Sequence, residues 1–359
     1  MTALLLILGL IALLAGAEVL VRGASRLATA TGLSPLVIGL TVVAFGTSAP
    51  ELAVGIDAVQ RGAAGIAIGN VVGSNIANVL LILGISALVT PMVVSRQLVW
   101  LDVPVMIASS VLVFALALDG SISRIEGGVL AVAAVVYVSW LIRLTRRESD
   151  AADDADEVVA TARGRWSWAI DIAMVVAGLA LLVLGARWLV QSAVTVAEAL
   201  GMSELVIGLT VIAVGTSLPE IATSIMAAVR GQRDIAVGNI VGSNVLNLLL
   251  VLGLTSVFSP SGIPVAAAAI NFDFPVMLAA AIACLPIFFT GHCIQRWEGA
   301  VFLGYYIAYT AYLLLDAAGH DALPAFSAVM IRFVIPLTAI TLGIVLMRAL
   351  RHRRQRRIE

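Results

Sequence analysis

Lysine is absent from this 359-residue chain, so apart from three histidines every cationic side chain is an arginine. That bias reads as a codon-composition effect rather than as chemistry. Charge of either sign is scarce: Asp, Glu and Arg make up 12% of the residues, about half of what a soluble domain carries. A net charge of −1 says nothing about nucleic acid, and no basic, aromatic-lined groove points to such a partner. Two cysteines, Cys284 and Cys293, exclude a disulfide framework. Nine residues of helix would hold them ~13 Å apart, too far to bridge. A zinc site would need more ligands than two thiols and scattered His, which leaves buried or interfacial thiols. No phosphate-cradling P-loop is present, which excludes ATP as the energy source, and no His-Glu-x-x-His suggests an intramembrane hydrolase.

What the chain has in abundance is apolar length. Hydrophobic residues make up 61%, mean hydropathy is +1.08, and runs of ~20 apolar residues, enough to cross a bilayer, recur almost end to end. The expected fold class is an all-α polytopic membrane protein. Eleven spans are expected near 3–22, 34–60, 65–90, 98–118, 125–145, 167–190, 203–229, 234–258, 268–290, 297–315 and 325–348. Leu4–Val21 lacks a basic flank and a cleavage site, so it reads as a retained span. With the N-terminus outside, the inside loops collect Arg22, Arg26, Arg96, Arg143, Arg146 and Arg147, then Arg230, Arg233, Arg296 and the Arg-rich tail. The outside loops hold little more than Arg61 and Arg124. The odd span count then places the C-terminus inside.

The chain is duplicated. Gly39–Gly84 aligns with Gly208–Gly253 without a gap at an offset of 169, and 28 of 46 positions are identical. The match extends outward: Asp102-Val-Pro-Val-Met answers Asp273-Phe-Pro-Val-Met, and Arg124-Ile-Glu126-Gly answers Arg296-Trp-Glu298-Gly. Each copy covers five spans, 1–145 and 166–316, joined by an acidic linker over 146–165 and followed by an extra span and basic tail over 317–359. Five is odd, so the second copy enters the membrane upside down. Inverted repeats with a site between them are secondary-transporter architecture.

The identities fall on costly residues. In Gly46-Thr47-Ser48-Ala49-Pro50-Glu51, proline has no N–H to offer the Gly46 carbonyl and opens the preceding turn. Thr47 lies four residues before Glu51, on the same helix face. The result is a group of hard oxygens: carbonyls, two hydroxyls and a carboxylate. Gly215-Thr216-Ser217-Leu218-Pro219-Glu220 builds the same group from the opposite side. The next span carries Asn70, Ser74 and Asn78 in one stripe, and Asn239, Ser243 and Asn247 repeat it. Gly69 and Gly73, like Gly238 and Gly242, form small-xxx-small pairs that let helices approach. For Asn70, Asn75, Asn239 and Asn244, helix packing and ion binding stand as equal readings. Glu51 and Glu220 are the expected ion carriers, because no arginine in the neighbouring spans is placed to pair with them. Two such carboxylates repel unless a divalent cation or two sodium ions neutralise them. An all-oxygen ligand set without His or Cys favours Ca²⁺ or Na⁺ over zinc or copper. From the residues alone, this is a cation antiporter.

GTSAPE/GTSLPE and GNVVGSNIAN/GNIVGSNVLN resemble the two α-repeats of the sodium/calcium exchanger family, within the calcium/cation antiporter superfamily. The resemblance covers the first ten spans and implies a ten-helix inverted-repeat fold with one central ion cluster. By motif position it implies a Ca²⁺ site on the carboxylates of Glu51 and Glu220 and the carbonyls of Thr47 and Thr216. It adds sodium sites on the hydroxyls of Ser48, Ser74, Ser217 and Ser243 and the backbone oxygens of Ala44 and Ala213, with Asn78 and Asn247 completing the centre. It also implies that access alternates as the first and sixth spans slide against the core. Two features depart from the pattern. Many family members carry Asp where this chain has Asn247, which leans away from the potassium-dependent branch, and the eleventh span is additional. The expectation is a Na⁺/Ca²⁺ antiporter of a prokaryotic plasma membrane. It is not an enzyme and has no cofactor; its partners are Ca²⁺, Na⁺ and bilayer lipid, and a monomer is its simplest unit. A proton/calcium antiporter of the same fold is the alternative, and a cation channel a more distant one.

Overall fold

The computed structural model describes residues 2–153, 165–200, 213–289 and 292–341, together with 343 and 347. Eleven helical spans follow one another: α1 Thr2–Thr31, α2 Pro35–Gln60, α3 Ala64–Val89, α4 Leu98–Ala117, α5 Arg124–Asp153, α6 Arg165–Ala199, α7 Leu218–Val229 with a preceding turn at Ala213–Gly215, α8 Arg233–Phe258, α9 Ala269–Phe289, α10 Arg296–Ala317 and α11 Leu323–Thr341. Ten of these are long and apolar enough to cross a bilayer. Most of the expected acidic linker, the first part of the seventh span (203–212) and the basic tail lie outside the described residues.

Most expected spans fall within a residue or two of a helix, but the first and sixth do not. Spans expected at 3–22 and 167–190 are helices of 30 and 35 residues. Hydropathy marks the thickness of hydrocarbon, not the end of a helix. Nothing stops α1 before Gly32, whose φ of 68° only glycine adopts easily. Helix α5 likewise runs on to Asp153, into the stretch read as linker.

The two long helices pack antiparallel along a glycine seam. Gly9, Gly16 and Gly23 recur every seven residues on α1 and face Gly185, Gly178 and Met174–Val175 on α6. A Cβ at Gly178 would stand 2.6 Å from the Leu20 backbone nitrogen. Because hydrocarbon gives no hydrophobic drive between helices, such close backbone contact is what holds the pair. Gly178→Val should therefore separate α1 from α6 at a cost of about 1–3 kcal/mol. This would appear as a lower melting temperature in detergent, and an unchanged one would contradict the seam.

The other contacts repeat in pairs, as an inverted duplication requires. Gly84 on α3 meets Gly299 on α10, and their equivalents Gly253 on α8 and Gly127 on α5 meet in the same way. Two short ribbons add what composition did not announce. Strand β1 (Met92–Val93) pairs antiparallel with β4 (Cys293–Ile294), and β2 (Ser121–Ile122) with β3 (Ile263–Pro264). Each ribbon joins a loop of one repeat to a loop of the other, so the two halves are clasped at both ends. Six spans separate β1 from β4 and four separate β2 from β3. Both counts are even, which agrees with one crossing per intervening span.

Helices α2, α3 and α8 form the centre; 94% of the most apolar window of α8 is buried, against none for α11. On α8, Gly238 and Gly242 press against Leu36, Gly39, Leu40 and Ala44 of α2, as the small-residue spacing predicts. Among the described residues nothing covers the equivalent Gly69 and Gly73. Helix α11 leans on α10 from outside the bundle, where Tyr305 donates a hydrogen bond of 2.7 Å to Thr338. Both cysteines are free thiols, Cys284 buried and Cys293 half-buried.

At one end of the bundle, Glu18 near the C-terminal half of α1 pairs with Arg22 and, at 2.6 Å, with Arg230 of the α7–α8 loop. Three arginines expected on the same side (Arg22, Arg26 and Arg230) thus gather there, Arg26 lying 3.9 Å from Asp171 at the start of α6.

Candidate functional site

Helix α2 is broken where the proline motif predicts. It runs through Ala44–Thr47, turns at Ser48 (φ −80°, ψ 1°) and restarts at Ala49 with Pro50 in its first turn. The second copy does the same, turning at Ser217 (φ −87°, ψ 5°) before Leu218 and Pro219. Glu51 and Glu220 each sit in the first turn of the restarted helix, where the exposed N–H groups and the helix dipole favour negative charge.

The breaks bring the two acids together across the repeat boundary. Glu51 and Glu220 are buried, at 0% and 1% exposure. The Ser48 hydroxyl reaches Oε1 of Glu220 at 3.4 Å, and Ser217 reaches Oε1 of Glu51 at 3.5 Å. Each acid is therefore held by the serine three residues ahead of the other. Ser217 also donates to Ser74 at 3.3 Å. Among the described residues neither acid has a basic partner, as the sequence implies.

What the cluster leaves unpaired matters most. Oε2 of Glu51, Oε2 of Glu220, the Ser243 hydroxyl and both amide atoms of Asn78 and of Asn247 are buried without a hydrogen-bond partner. Each such group costs about 1–3 kcal/mol, more when charged. Buried groups of this kind persist only where water or a cation meets them.

The remaining expected residues separate into two kinds. Thr47 donates to Asn239 at 3.1 Å and Thr216 to Asn70 at 3.3 Å, so each threonine at a break is fixed by an asparagine of the other repeat. Asn70 in turn donates to the Glu51 carbonyl at 3.1 Å, and Asn239 to Ser224 at 3.0 Å. These two asparagines hold the breaks in shape. Asn75 and Asn244 instead donate back to Val71 and Ile240 of their own helices, both at 2.8 Å, which is a packing role. The Ala44 carbonyl accepts from the Ser48 N–H at 3.0 Å and from the Thr47 hydroxyl at 3.4 Å. Ala213 stands at the edge of the described residues.

A cavity of about 390 Å³ reaches this cluster from the side, lined by Asn70, Ser74 and Thr216 on one wall and by α9 and α10 on the other. It lies toward the end of the bundle that carries the β2–β3 ribbon. Two Asp–Tyr pairs near that wall and its counterpart were not expected: Tyr137 donates to Asp102 at 3.0 Å in a buried pair, and Tyr309 to Asp273 at 2.9 Å in a half-buried one. Their signal was present, since both Asp and both Tyr occur at equivalent places in the two copies.

Crossing helices in two inverted halves, with a buried carboxylate pair where the halves meet, define a secondary transporter. The chain belongs to the sodium/calcium exchanger family: the family model for sodium/calcium exchanger protein matches residues 1–143 and 170–315, nearly all of the two repeats and none of α11. It is 38% identical over 343 residues to the sodium/calcium exchanger MaX1 of Methanosarcina acetivorans, covering 86% of this chain and 97% of that one. It is 37% identical over 319 residues to the putative antiporter CaxA of Alkalimonas amylolytica, covering 87% and 98% respectively. Among solved structures it is similar to the sodium-calcium exchanger NCX_Mj, with a TM-score of 0.75 and 32% identity over 87% of this chain and 98% of that one. The chain is thus a multi-pass membrane protein of a cation/Ca²⁺ antiporter family.

Proposed function

We propose that this protein exchanges Na⁺ for Ca²⁺ across a prokaryotic plasma membrane, with both ions competing for Glu51 and Glu220. The observation that carries the reading is the shell of unpaired buried oxygens: one from each acid, one from Ser243, and the amide oxygens of Asn78 and Asn247. Two negative charges and neutral oxygen ligands match one Ca²⁺, which takes 6–8 oxygens in flexible geometry, or a set of sodium ions. Thr47 and Thr216 would add carbonyls and Ser48, Ser74 and Ser217 hydroxyls, with backbone oxygens of Ala44 and Ala213 at the margins. The unit is two repeats, 1–145 and 166–316, joined through 146–165 and followed by 317–359. The N-terminus lies outside, supported by the arginines gathered with Glu18 at the opposite end. No cofactor takes part.

Because each ion set binds the two access states differently, occupancy itself biases the equilibrium between them. Reconstituted into vesicles, the protein should take up ⁴⁵Ca²⁺ only when an outward Na⁺ gradient is imposed. Uptake driven by a pH gradient and indifferent to Na⁺ would replace this reading with proton/calcium exchange at the same carboxylates. Flux with no exchange partner would replace it with a channel.

A further inference from the structure

The cavity beside the acids ends at a polar cluster that ion exchange at Glu51 and Glu220 leaves unused. Asp273 closes a π-helical turn, Ala269–Asp273, at the start of α9, a distortion that often marks functional positions. Its carboxylate accepts from Tyr309 at 2.9 Å. Tyr306 and Thr310 line the same cavity from α10, facing Asn70, Ser74 and Thr216. Among the described residues Asp273 has no basic partner, and an acid without one inside a span is costly.

The first repeat shows what a purely structural version looks like. Asp102 also closes a π turn and also accepts from its tyrosine, Tyr137. There, however, Gln97 adds a second donor at 3.4 Å, and Asp102 is fully buried. Ala268 replaces Gln97 in the second repeat, while Tyr306 and Thr310 replace Ala134 and Val138. Three differences act in one direction: they withdraw a protein donor from the carboxylate and add two hydroxyls to the wall of the open cavity that it lines. An Asp–Tyr pair that only joined helices would need none of them.

We propose that Asp273, Tyr306, Tyr309 and Thr310 form a second cation site, which holds a partly hydrated hard cation on the path between the β2–β3 face and Glu51. One carboxylate and three hydroxyls are too few to strip Ca²⁺ of its water. The cavity has room for several waters to complete the shell. A single negative charge at the entrance raises the local cation concentration and the rate of arrival without trapping the ion. The site's place on a transport path rests on the antiporter reading; its ability to bind does not.

Two measurements test it separately. In vesicles, Asp273→Asn should raise the Ca²⁺ concentration for half-maximal exchange by about tenfold, only when Ca²⁺ is presented to the β2–β3 face. The saturating rate should hold, Asp273→Glu should restore the affinity, and Asp316→Asn, an exposed acid at the same end of α10, should change nothing. In detergent, the Glu51→Gln/Glu220→Gln protein should still show Tb³⁺ luminescence on tyrosine excitation, and adding Asp273→Asn should remove it. An Asp273→Asn protein with unchanged affinity at that face, or Tb³⁺ emission indifferent to Asp273, would overturn the assignment. Failure of Na⁺-driven exchange in the wild type would instead strike the antiporter reading, with the Tb³⁺ result standing by itself.

Discussion

Glu220→Gln should reduce Na⁺-driven ⁴⁵Ca²⁺ exchange by at least about a hundredfold while leaving the protein folded in the membrane. Glutamine fills the same volume and can still accept the Ser48 hydroxyl, so packing is preserved. What disappears is one of the two charges that would neutralise a divalent ion in a buried site. Removing one partner of a buried charge pair typically costs about 3–5 kcal/mol, or about two to four powers of ten in binding. Protein stability should not follow the same direction. Two acids buried together without a basic partner cost the empty protein energy, so neutralising one should leave the melting temperature equal or higher. Glu51→Gln should behave the same way, because Ser217 holds Glu51 as Ser48 holds Glu220. Exchange that survives either substitution within a few-fold would mean that Ca²⁺ is held elsewhere. A loss of exchange with a matching loss of folded protein would mean that the acids serve the fold.

The parts of this site that were legible in the sequence are those created by local chemistry. Proline leaves the carbonyl four residues before it without a helical partner, so the turns at Ser48 and Ser217 and the acids that follow them could be read directly. The duplication could be read as well, and with an odd number of spans per copy it dictated the inversion. What could not be read is the pairing across the two copies. That Asn239 holds Thr47 while Asn244 turns back to its own helix depends on which face each asparagine presents to a partner far away in the chain. Asparagine spacing is identical in both roles, and packing and binding remained equal readings until the helices were in place. The glycine seam of α1 and α6 was hidden for another reason: glycine every seven residues in an apolar run looks like any other membrane helix until a second such run lies against it. The Asp102–Tyr137 and Asp273–Tyr309 pairs were overlooked because each joins residues 35 or 36 apart, on spans whose apolar character dominated the reading.

Pro219→Ala should slow exchange by at least about tenfold while making the protein harder to unfold. Alanine at this position supplies the N–H that proline lacks, so the Gly215 carbonyl gains its helical partner and the turn at Ser217 can close into continuous helix. Relief of a proline inside a helix is worth up to about 3 kcal/mol, seen as a higher melting temperature. The same closure rotates Thr216 and Ser217 relative to Glu220. Thr216 would swing away from Asn70, and Ser217 from Glu51 and Ser74, dismantling the contacts by which one repeat shapes the site of the other. A displacement of about 1 Å in a positioned group commonly costs a hundredfold in rate, so the initial rate of Ca²⁺ exchange should fall by at least about tenfold. Pro50→Ala should reproduce the result from the opposite half, since Ser48 and Thr47 make the equivalent contacts with Glu220 and Asn239. The stability and the rate must move in opposite directions for the argument to stand. A variant that is both more stable and as fast as the wild type would show that the break is incidental. A variant both slower and less stable would show that the proline serves packing rather than the opening of the helix.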